Sequence, residues 1–193
     1  MRTLVLVKHA PPRVDPLAPA TQWPLSEEGR ALCPALAAAV KEHDPGFVVA
    51  STEAKAAETG RSVANLLRLP FGVAKGLCEH DRRTVPFYPD RREFVARVRE
   101  LFARPSELVL GSESADEAHL RFGSALSGVL ERNPEGNPVV VSHGTVIALF
   151  VSRATGLDPF DLWTGLRLPS FVALSLPGLS VLGTWNTVGK SET

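Results

Sequence analysis

The strongest apolar signals in the chain are two short uninterrupted runs of Leu and Val, residues 4–7 and 139–141, each followed within two residues by a histidine, His9 and His143. A short continuous apolar run bounded by polar residues is typical of a strand buried on both faces of a parallel sheet. Both histidines are then predicted at carboxyl ends of strands, where open α/β sheets bind ligands. We expect the two strands to be neighbours and the two imidazoles to face one phosphate group.

Helical periodicity fills the intervals between the apolar runs. Ser26 followed by two glutamates predicts a helix start, and this helix is expected to reach about His43 with a kink or a division at Pro34. Further helices are predicted over residues 53–67, from Asp90 onward, and over 113–132, 145–155 and 159–165.

The remaining runs predict a strand at 47–50, a short edge strand at 73–77 and a terminal antiparallel hairpin at 171–176 and 181–185. Strands and helices alternate for most of the chain, which predicts an α/β fold. We expect a three-layer α/β/α sandwich with a mainly parallel sheet, helices on both faces and an antiparallel C-terminal hairpin. Residues 190–193 are expected to be a frayed tail.

Composition narrows the class of protein. A chain of 193 residues is expected to form one domain over residues 1–193. The 21 basic and 21 acidic residues balance, so no net charge attracts nucleic acid or a membrane surface. Cys33 and Cys78 fit no metal-binding spacing, which favours free thiols in a reducing cytosol. We therefore expect a cytoplasmic protein with no nucleic-acid or membrane partner, and the oligomeric state is left open.

The candidate site residues also have structural interpretations. A lone histidine is more often a satisfied structural residue than a catalyst, so the spacing of His9 and His143 alone leaves both possibilities open. Lys8 is either the exposed end of a buried strand or a group beside His9, and Lys55 is either a solvated helix charge or a second cation at the same crevice. Glu79 lies in a polar loop that the sequence alone does not place near His9.

Several segments, taken together, resemble the histidine phosphatase (phosphoglycerate mutase-like) superfamily. Residues 7–10 (Val-Lys-His-Ala) resemble its Arg-His-Gly signature, and residues 141–144 (Val-Ser-His-Gly) resemble its second-histidine motif. The other similar segments, in the order expected for the family, are Leu25 to Gly29 at a helix start, Ser51 to Thr59 with Lys55 in the place of arginine, Leu77-Cys78-Glu79 as the acid motif, and Gly111 to Ser114 followed by Arg121.

The resemblance implies the roles of the site residues. His9 would be the nucleophile that forms a phosphohistidine, and Glu79 would act as general acid and then as general base. His143, Lys8, Lys55 and backbone N–H groups near Gly144 would bind the phosphoryl oxygens. A general acid favours a raised pKa, so we expect one for Glu79 from burial or a nearby anion. No metal or other cofactor is implied, and the implied partner is a small phosphorylated substrate.

The departures from the family pattern limit what can be said of the substrate. Lys8 and Lys55 keep the charge of the two signature arginines but lose the planar bidentate contact with phosphate. Pro11, Pro12 and Arg13 stand where polar residues usually contact substrate, and Arg13 is the candidate to replace them. We expect a metal-independent phosphomonoesterase of the histidine acid phosphatase type. The alternatives are mutase-type phosphotransfer, a protein phosphohistidine phosphatase, and a catalytically weakened phosphate-binding protein.

Overall fold

The computed structural model describes residues 2–187 and contains one six-stranded sheet. The strands are β1 (Arg2–Lys8), β2 (Pro45–Ser51), β3 (Phe71–Ala74), β4 (Asn137–Ser142), β5 (Ser170–Leu176) and β6 (Val181–Asn186). The helices are α1 (Glu27–Lys41), α2 (Ala54–Leu67), α3 (Arg91–Ala103), α4 (Ala115–Arg132), α5 (Gly144–Thr155) and α6 (Pro159–Gly165). Short 3-10 helices cover Ala20–Gln22 and Lys75–Leu77.

The sheet order is β3-β2-β4-β1-β5-β6, which places the two histidine-bearing strands side by side at the centre. Strands β1 to β4 are mutually parallel where they pair, whereas β5 runs antiparallel to β1 and β6 antiparallel to β5. The expected mainly parallel sheet with an antiparallel C-terminal pair is therefore confirmed.

Two apolar cores lie on the two faces of the sheet. Alternate residues of β1 belong to different cores, because Leu4 and Leu6 pack with α4 and α5 while Val5 and Val7 pack with α1 and α2. Side chains that alternate between two buried faces explain why the strand reads as a continuous apolar run. The layered α/β/α arrangement follows directly from this pattern.

Helix α1 is continuous from Glu27 to Lys41, so the expected division at Pro34 is absent, while the alternative of a kink there stays a prediction. Cys33 and Leu36, on either side of the proline, are both buried, Cys33 in a small cluster with Ala10 and Leu25 and Leu36 in the core that also contains Val5 and Val7. Ser26 is the N-cap as predicted, and its side chain accepts a hydrogen bond from the Gly29 N–H.

The edge strand β3 corrects another boundary, since it begins at Phe71 and ends at Ala74 rather than covering 73–77. The chain then turns toward α4, where a Cβ on Gly76 would lie 2.5 Å from the Cβ of Ala125. This close approach replaces the predicted continuation of the strand with a 3-10 turn. The expected frayed tail at 190–193 lies outside the described residues, and the expectation of one domain over 1–193 stays a prediction.

Candidate active site

The central strand pair brings the two histidines together. Lys8 of β1 lies opposite Ser142 of β4, and the His9 N–H donates to the Ser142 carbonyl over 3.1 Å. The ring centroids of His9 and His143 are 5.2 Å apart, with 64° between the ring planes. Both side chains are buried. The predicted juxtaposition of two imidazoles from distant parts of the chain is therefore present.

The orientation of His9 is fixed by its own backbone. Its Nδ1 lies 2.8 Å from the Ala10 carbonyl oxygen, an acceptor to which only a protonated Nδ1 can donate. In the neutral ring this leaves Nε2 with a free lone pair. Burial, followed by the neighbouring His143 ring and the positive charge of Lys55, holds the pKa of His9 well below its usual value. His9 therefore has the neutral form and the tautomer that a nucleophilic Nε2 requires.

The loop that follows His9 is held by two neighbouring helices. The Ala10 N–H donates to Thr59 Oγ1 of α2 over 3.0 Å. The Ser26 hydroxyl donates to the Pro11 carbonyl, and a Cβ on Gly29 would lie 2.2 Å from the same oxygen. Glycine is required at position 29 because the loop backbone passes so closely over α1. These contacts explain the role of the segments at Leu25–Gly29 and Ser51–Thr59 in positioning the nucleophile.

His143 is oriented from its other ring nitrogen. Its Nε2 lies 2.9 Å from Ser51 Oγ, and the same oxygen accepts the Glu53 N–H over 3.2 Å. The Ser51 hydroxyl hydrogen has two acceptors within reach, His143 Nε2 and Cys78 Sγ at 3.6 Å, and when it is donated to Nε2 the ring hydrogen of His143 is on Nδ1. Nδ1 is buried and has no hydrogen-bond partner within residues 2–187. Burial is the main cause that lowers the pKa of His143 to about 3, so the ring is neutral.

The two lysines lie beside these rings in different surroundings. Lys8 Nζ donates to the Leu166 carbonyl over 2.6 Å. Lys55 Nζ donates to the Ala20 carbonyl over 2.8 Å and to Glu53 Oε2 over 2.6 Å. Burial lowers the pKa of Lys8 to about 8, even though the charge of Glu79 favours its protonated form.

Glu79 lies at the N-terminus of α5. Its carboxylate accepts the N–H groups of Thr145 and Val146, each over 3.3 Å, and that of His80 over 2.9 Å. The loop carboxylate is thus brought to the site, which the sequence did not indicate. Two N–H groups in the first turn of α5, those of Thr145 and Val146, thus bind Glu79, and the phosphate-binding role expected of backbone N–H groups near Gly144 stays a prediction.

The direction of the Glu79 pKa shift differs from the expected one. Burial acts to raise the pKa of Glu79, but the positive charge of Arg82, the neighbouring imidazole of His143 and the His80 N–H outweigh burial and lower it. The expectation of a raised pKa did not take these groups into account.

The loop that carries Glu79 is anchored by Arg121 of α4. Its guanidinium donates to the carbonyls of Gly76, Cys78 and Glu79 at 2.8, 2.9 and 3.0 Å and forms an ion pair with Glu113. One guanidinium thereby binds three loop carbonyls and one carboxylate. The backbone of the acid motif is therefore tied to α4 by these contacts.

The structure also locates the two remaining predicted site residues. Gly144 is the first residue of α5, and a Cβ there would lie 3.2 Å from Lys8 Nζ and 3.4 Å from Trp163 Nε1. Arg13 is exposed and lines a surface cavity at the start of α1 with Pro24 and Glu28. Gly144 therefore belongs to the His9–His143 site, and the binding role of Arg13 stays a prediction.

Sequence reasoning missed Glu53, which connects three parts of the site. Its Oε2 pairs with Lys55, its Oε1 accepts the Glu79 N–H over 2.9 Å, and the same oxygen lies 3.6 Å from His143 Nε2. The only available signal was an acidic residue two positions before Lys55. At the start of a helix such a residue is ordinarily explained by the helix dipole, so it did not stand out.

Two searches of the described residues, 2–187, complete the description. They contain no group of three or more His, Cys, Asp or Glu side chains arranged to hold a metal ion. None of their helices combines the length and the apolar character needed to cross a membrane.

Comparisons with known proteins agree with this geometry. The model of the histidine phosphatase superfamily (branch 1) matches residues 5–175. A search of curated proteins found no match. Among solved structures, a mycobacterial glucosyl-3-phosphoglycerate phosphatase in complex with VO3 is similar with 20% identity and a TM-score of 0.71, over 94% of this chain and 95% of that chain.

Two further solved structures share the fold at similarly low identity. One is a mutant phosphoserine phosphatase from Entamoeba histolytica in complex with phosphoserine (14% identity, TM-score 0.71, 96% of this chain and 98% of that chain). The other is the alpha-ribazole phosphatase from Shigella flexneri (19% identity, TM-score 0.70, 96% of each chain). Because the family model spans nearly the whole sequence, the chain belongs to the histidine phosphatase superfamily, and the expectation of a phosphoglycerate mutase-like phosphatase enzyme is confirmed.

Proposed function

We propose that the protein hydrolyses a small phosphomonoester, without a metal, through a phosphohistidine on Nε2 of His9. The observation that carries this proposal is the pair of imidazoles with complementary roles. His9 Nδ1 is committed to the Ala10 carbonyl, which frees Nε2, while a ring 5.2 Å away offers the buried and unpartnered Nδ1 of His143. One ring is arranged to attack phosphorus and the other to donate to a phosphoryl oxygen.

In the first step, Nε2 of His9 attacks phosphorus in line and forms the N–P bond while the bond to the leaving oxygen breaks. The N–H of His143 and the ammonium groups of Lys8 and Lys55 stabilise the phosphoryl oxygens. Glu79 donates its proton to the departing alkoxide. In the second step, Glu79 accepts a proton from water, the water oxygen bonds to phosphorus, and the N–P bond breaks to release phosphate and restore His9.

Because the pKa of Glu79 is lowered in the free protein, Glu79 must take up a proton when the substrate binds before it can act as an acid. A phosphate dianion bound beside Glu79 disfavours a second negative charge, and it also offsets the positive charge that lowers the pKa of Glu79. Binding therefore shifts the pKa of this carboxyl upward, toward the range that suits a general acid. This coupling favours catalysis at acidic to neutral pH.

The names of the structural neighbours support hydrolysis over mutase-type transfer. The three described above are phosphatases of glucosyl-3-phosphoglycerate, phosphoserine and alpha-ribazole, which are named for small phosphorylated compounds. We infer a substrate of the same general kind for this chain. The cytoplasmic location and the absence of nucleic-acid and membrane partners stay predictions.

The test is turnover of p-nitrophenyl phosphate, combined with mass spectrometry of acid-quenched enzyme. We expect turnover that persists in chelator and a phosphoryl adduct on the peptide that contains His9. His9→Ala abolishes both, whereas His43→Gln, which removes an imidazole that packs against Phe171, keeps both. Vanadate binding without turnover in the wild type would instead identify a phosphate-binding protein.

The role of Glu79 has its own test in the dependence of rate on the leaving group. Glu79→Gln is expected to slow hydrolysis of an alkyl phosphate by about 100-fold, within the range for general acid catalysis, and that of p-nitrophenyl phosphate much less. The difference arises because nitrophenolate departs without protonation. Equal slowing of both substrates contradicts the assignment of Glu79 as the acid.

A further inference from the structure

Arg82 lies on the same anchored loop as Glu79, three residues further along the chain. The Asp81 N–H donates to Glu113 Oε2 over 3.0 Å, and the Ser112 N–H donates to the Asp81 carbonyl over 3.0 Å. Gly111 adopts φ +96°, and a Cβ there would lie only 2.6 Å from the Cα of Arg82. The backbone next to Arg82 is therefore fixed by hydrogen bonds and close packing to residues 111–113.

The side chain of Arg82 is stacked on an aromatic ring beside the site. Its Cζ lies 4.8 Å from the centre of the Phe94 ring, whose centroid is 6.0 Å from that of Trp163. Trp163 Nε1 and Lys8 Nζ both approach Gly144, at 3.4 and 3.2 Å from the position that its Cβ would occupy. Trp163 beside Gly144, then Phe94, then the guanidinium of Arg82 are thus in successive contact, and the last contact is a cation–π interaction.

The positive charge of the same guanidinium influences the pKa values of three site residues. Burial is the largest influence on the pKa of Lys8, Glu79 and His143, and the charge of Arg82 acts on all three in addition. These residues belong to β1, the acid loop and the residue before α5. The charge of Arg82 therefore reaches all three of the elements that carry these site residues.

The guanidinium of Arg82 has no carboxylate within 4.0 Å in the part of the chain that the structure describes. Its neighbour Arg83 differs, because it is exposed and its Nη2 lies 2.7 Å from Asp81 Oδ2. Arg121 is likewise paired, with Glu113. Arg82 is therefore a partly buried cation that is positioned by an aromatic ring and has its hydrogen-bond donors free for an anion.

We propose that Arg82 binds a phosphoryl oxygen of the substrate and supplies the planar guanidinium that is absent at positions 8 and 55. This inference rests on the proposed function. Of the three donors of each ammonium, Lys8 uses one on Leu166, and Lys55 uses two on Ala20 and Glu53. The lysines leave few donors for three phosphoryl oxygens, whereas a guanidinium can contact two of them at once.

The test compares Arg82→Ala with Arg83→Ala, using vanadate and inorganic phosphate as inhibitors of p-nitrophenyl phosphate hydrolysis. Both inhibitors lack a leaving group, so they report contacts to the phosphoryl site alone. We expect Arg82→Ala to raise both inhibition constants about 10- to 100-fold, the effect of losing a charge-assisted hydrogen bond. Arg83→Ala should stay within about 2-fold of the wild type, because that side chain is tied to Asp81 and exposed.

Two more variants separate binding from folding. Arg82→Lys keeps the charge but loses the planar geometry, and we expect it to lie between the wild type and Arg82→Ala. Phe94→Leu removes the ring under the guanidinium, and a rise of about 3-fold is expected from the loss of an exposed cation–π contact. Thermal unfolding of each variant identifies any general loss of structure.

The outcomes distinguish this inference from the proposed function. If Arg82→Ala raises the KM for substrate but leaves the vanadate and phosphate constants unchanged, Arg82 contacts the leaving group and the inference is wrong. If the inhibition constants of Arg82→Ala equal those of Arg83→Ala, the inference about Arg82 is also wrong. If the wild type shows no turnover, the proposed function fails, and vanadate titration by calorimetry still decides whether Arg82 contributes to anion binding.

Discussion

The two lysines of the site have surroundings that give them different tasks. Within residues 2–187, the Lys8 ammonium donates to one neutral carbonyl, that of Leu166, and its charge has no adjacent carboxylate partner. The Lys55 ammonium is paired with Glu53, and the side chains of this pair are 8% and 6% exposed. Lys8 therefore contributes net positive charge to the pocket, whereas Lys55 contributes a fixed hydrogen-bond donor whose charge is locally compensated.

This difference shows two ways in which the ammonium group of a flexible lysine can be held in one position. A lysine lacks the rigid fork of an arginine and loses more conformational freedom for each hydrogen bond that it forms. Glu53 and the Ala20 carbonyl fix two of the three Lys55 donors and so direct the third. Lys8 is directed by one hydrogen bond, to the Leu166 carbonyl, and by close packing against Gly144. The comparison leads to three predictions of decreasing size.

The largest effect is expected when Glu53 is removed. Glu53→Ala leaves the buried Lys55 charge uncompensated and frees the Glu79 N–H, so we expect kcat/KM to fall about 100-fold. Breaking one partner of a buried pair is also expected to lower the free energy of unfolding by about 3–5 kcal/mol. The measurements are p-nitrophenyl phosphate kinetics and chemical denaturation.

Glu53→Gln and Glu107→Ala serve as controls for that experiment. Glutamine keeps an acceptor for the Glu79 N–H but removes the charge, so it isolates the effect of the ion pair with Lys55. Glu107 forms an exposed ion pair with Arg104, and its removal should leave activity and Tm unchanged. If both Glu53 variants retain activity within about 3-fold of the wild type, Glu53 does not position Lys55.

The second prediction concerns pH and Lys8. Because the pKa of Lys8 is lowered to about 8, the ammonium loses its charge as the pH rises through that value, and affinity for a phosphate dianion is lost with it. We expect kcat/KM of the wild type for p-nitrophenyl phosphate, whose leaving group needs no proton from Glu79, to fall about 10-fold between pH 7 and pH 9, as the protonated fraction of Lys8 decreases. Lys8→Arg keeps its charge throughout this range, so its profile should change by less than about 2-fold.

The shape of the profile is the readout, since Lys8→Arg is also expected to lower activity at pH 7. The longer side chain must fit beside Trp163, whose Nε1 already lies close to Gly144. An unchanged decline above pH 8 in Lys8→Arg would show that a group other than Lys8 titrates there.

Most of the fold was predictable because its determinants are local. The Leu and Val runs specify strands, Ser26 specifies the start of α1, and the spacing of the two histidines leads to their juxtaposition once β1 and β4 pair. The boundaries that were wrong depend on packing between distant segments. The end of β3 is set by the approach of Gly76 to α4, which no local pattern of residues 71–77 records.

The carboxylates of the site were less predictable for the same reason. The position of Glu79 depends on Arg121, which lies 42 residues further along the chain, and on the N-terminus of α5. The direction of its pKa shift depends on Arg82 and His143, which are brought close only by folding. Glu53 resembles any acidic residue at a helix start until its three contacts are known.

The smallest expected effect tests the packing that directs Lys8. Gly144→Ala places a Cβ 3.1 Å from Lys8 Cε, which is tighter than ordinary contact, so the flexible end of the lysine must shift by a few tenths of an ångström. We expect a rise of about 5-fold in KM, which corresponds to a partial loss of one hydrogen bond to the phosphoryl group. Steady-state kinetics with p-nitrophenyl phosphate provide the measurement.

Gly123→Ala is the matched control, because a Cβ at this position of α4 meets nothing within 4 Å. Replacing a helical glycine with alanine should raise the free energy of unfolding by up to about 1 kcal/mol and leave KM unchanged. If Gly144→Ala behaves like this control, space beside Lys8 is not limiting. The direction of its ammonium would then depend on the Leu166 carbonyl alone, and Lys8 and Lys55 would both be positioned by hydrogen bonds rather than one of them by packing.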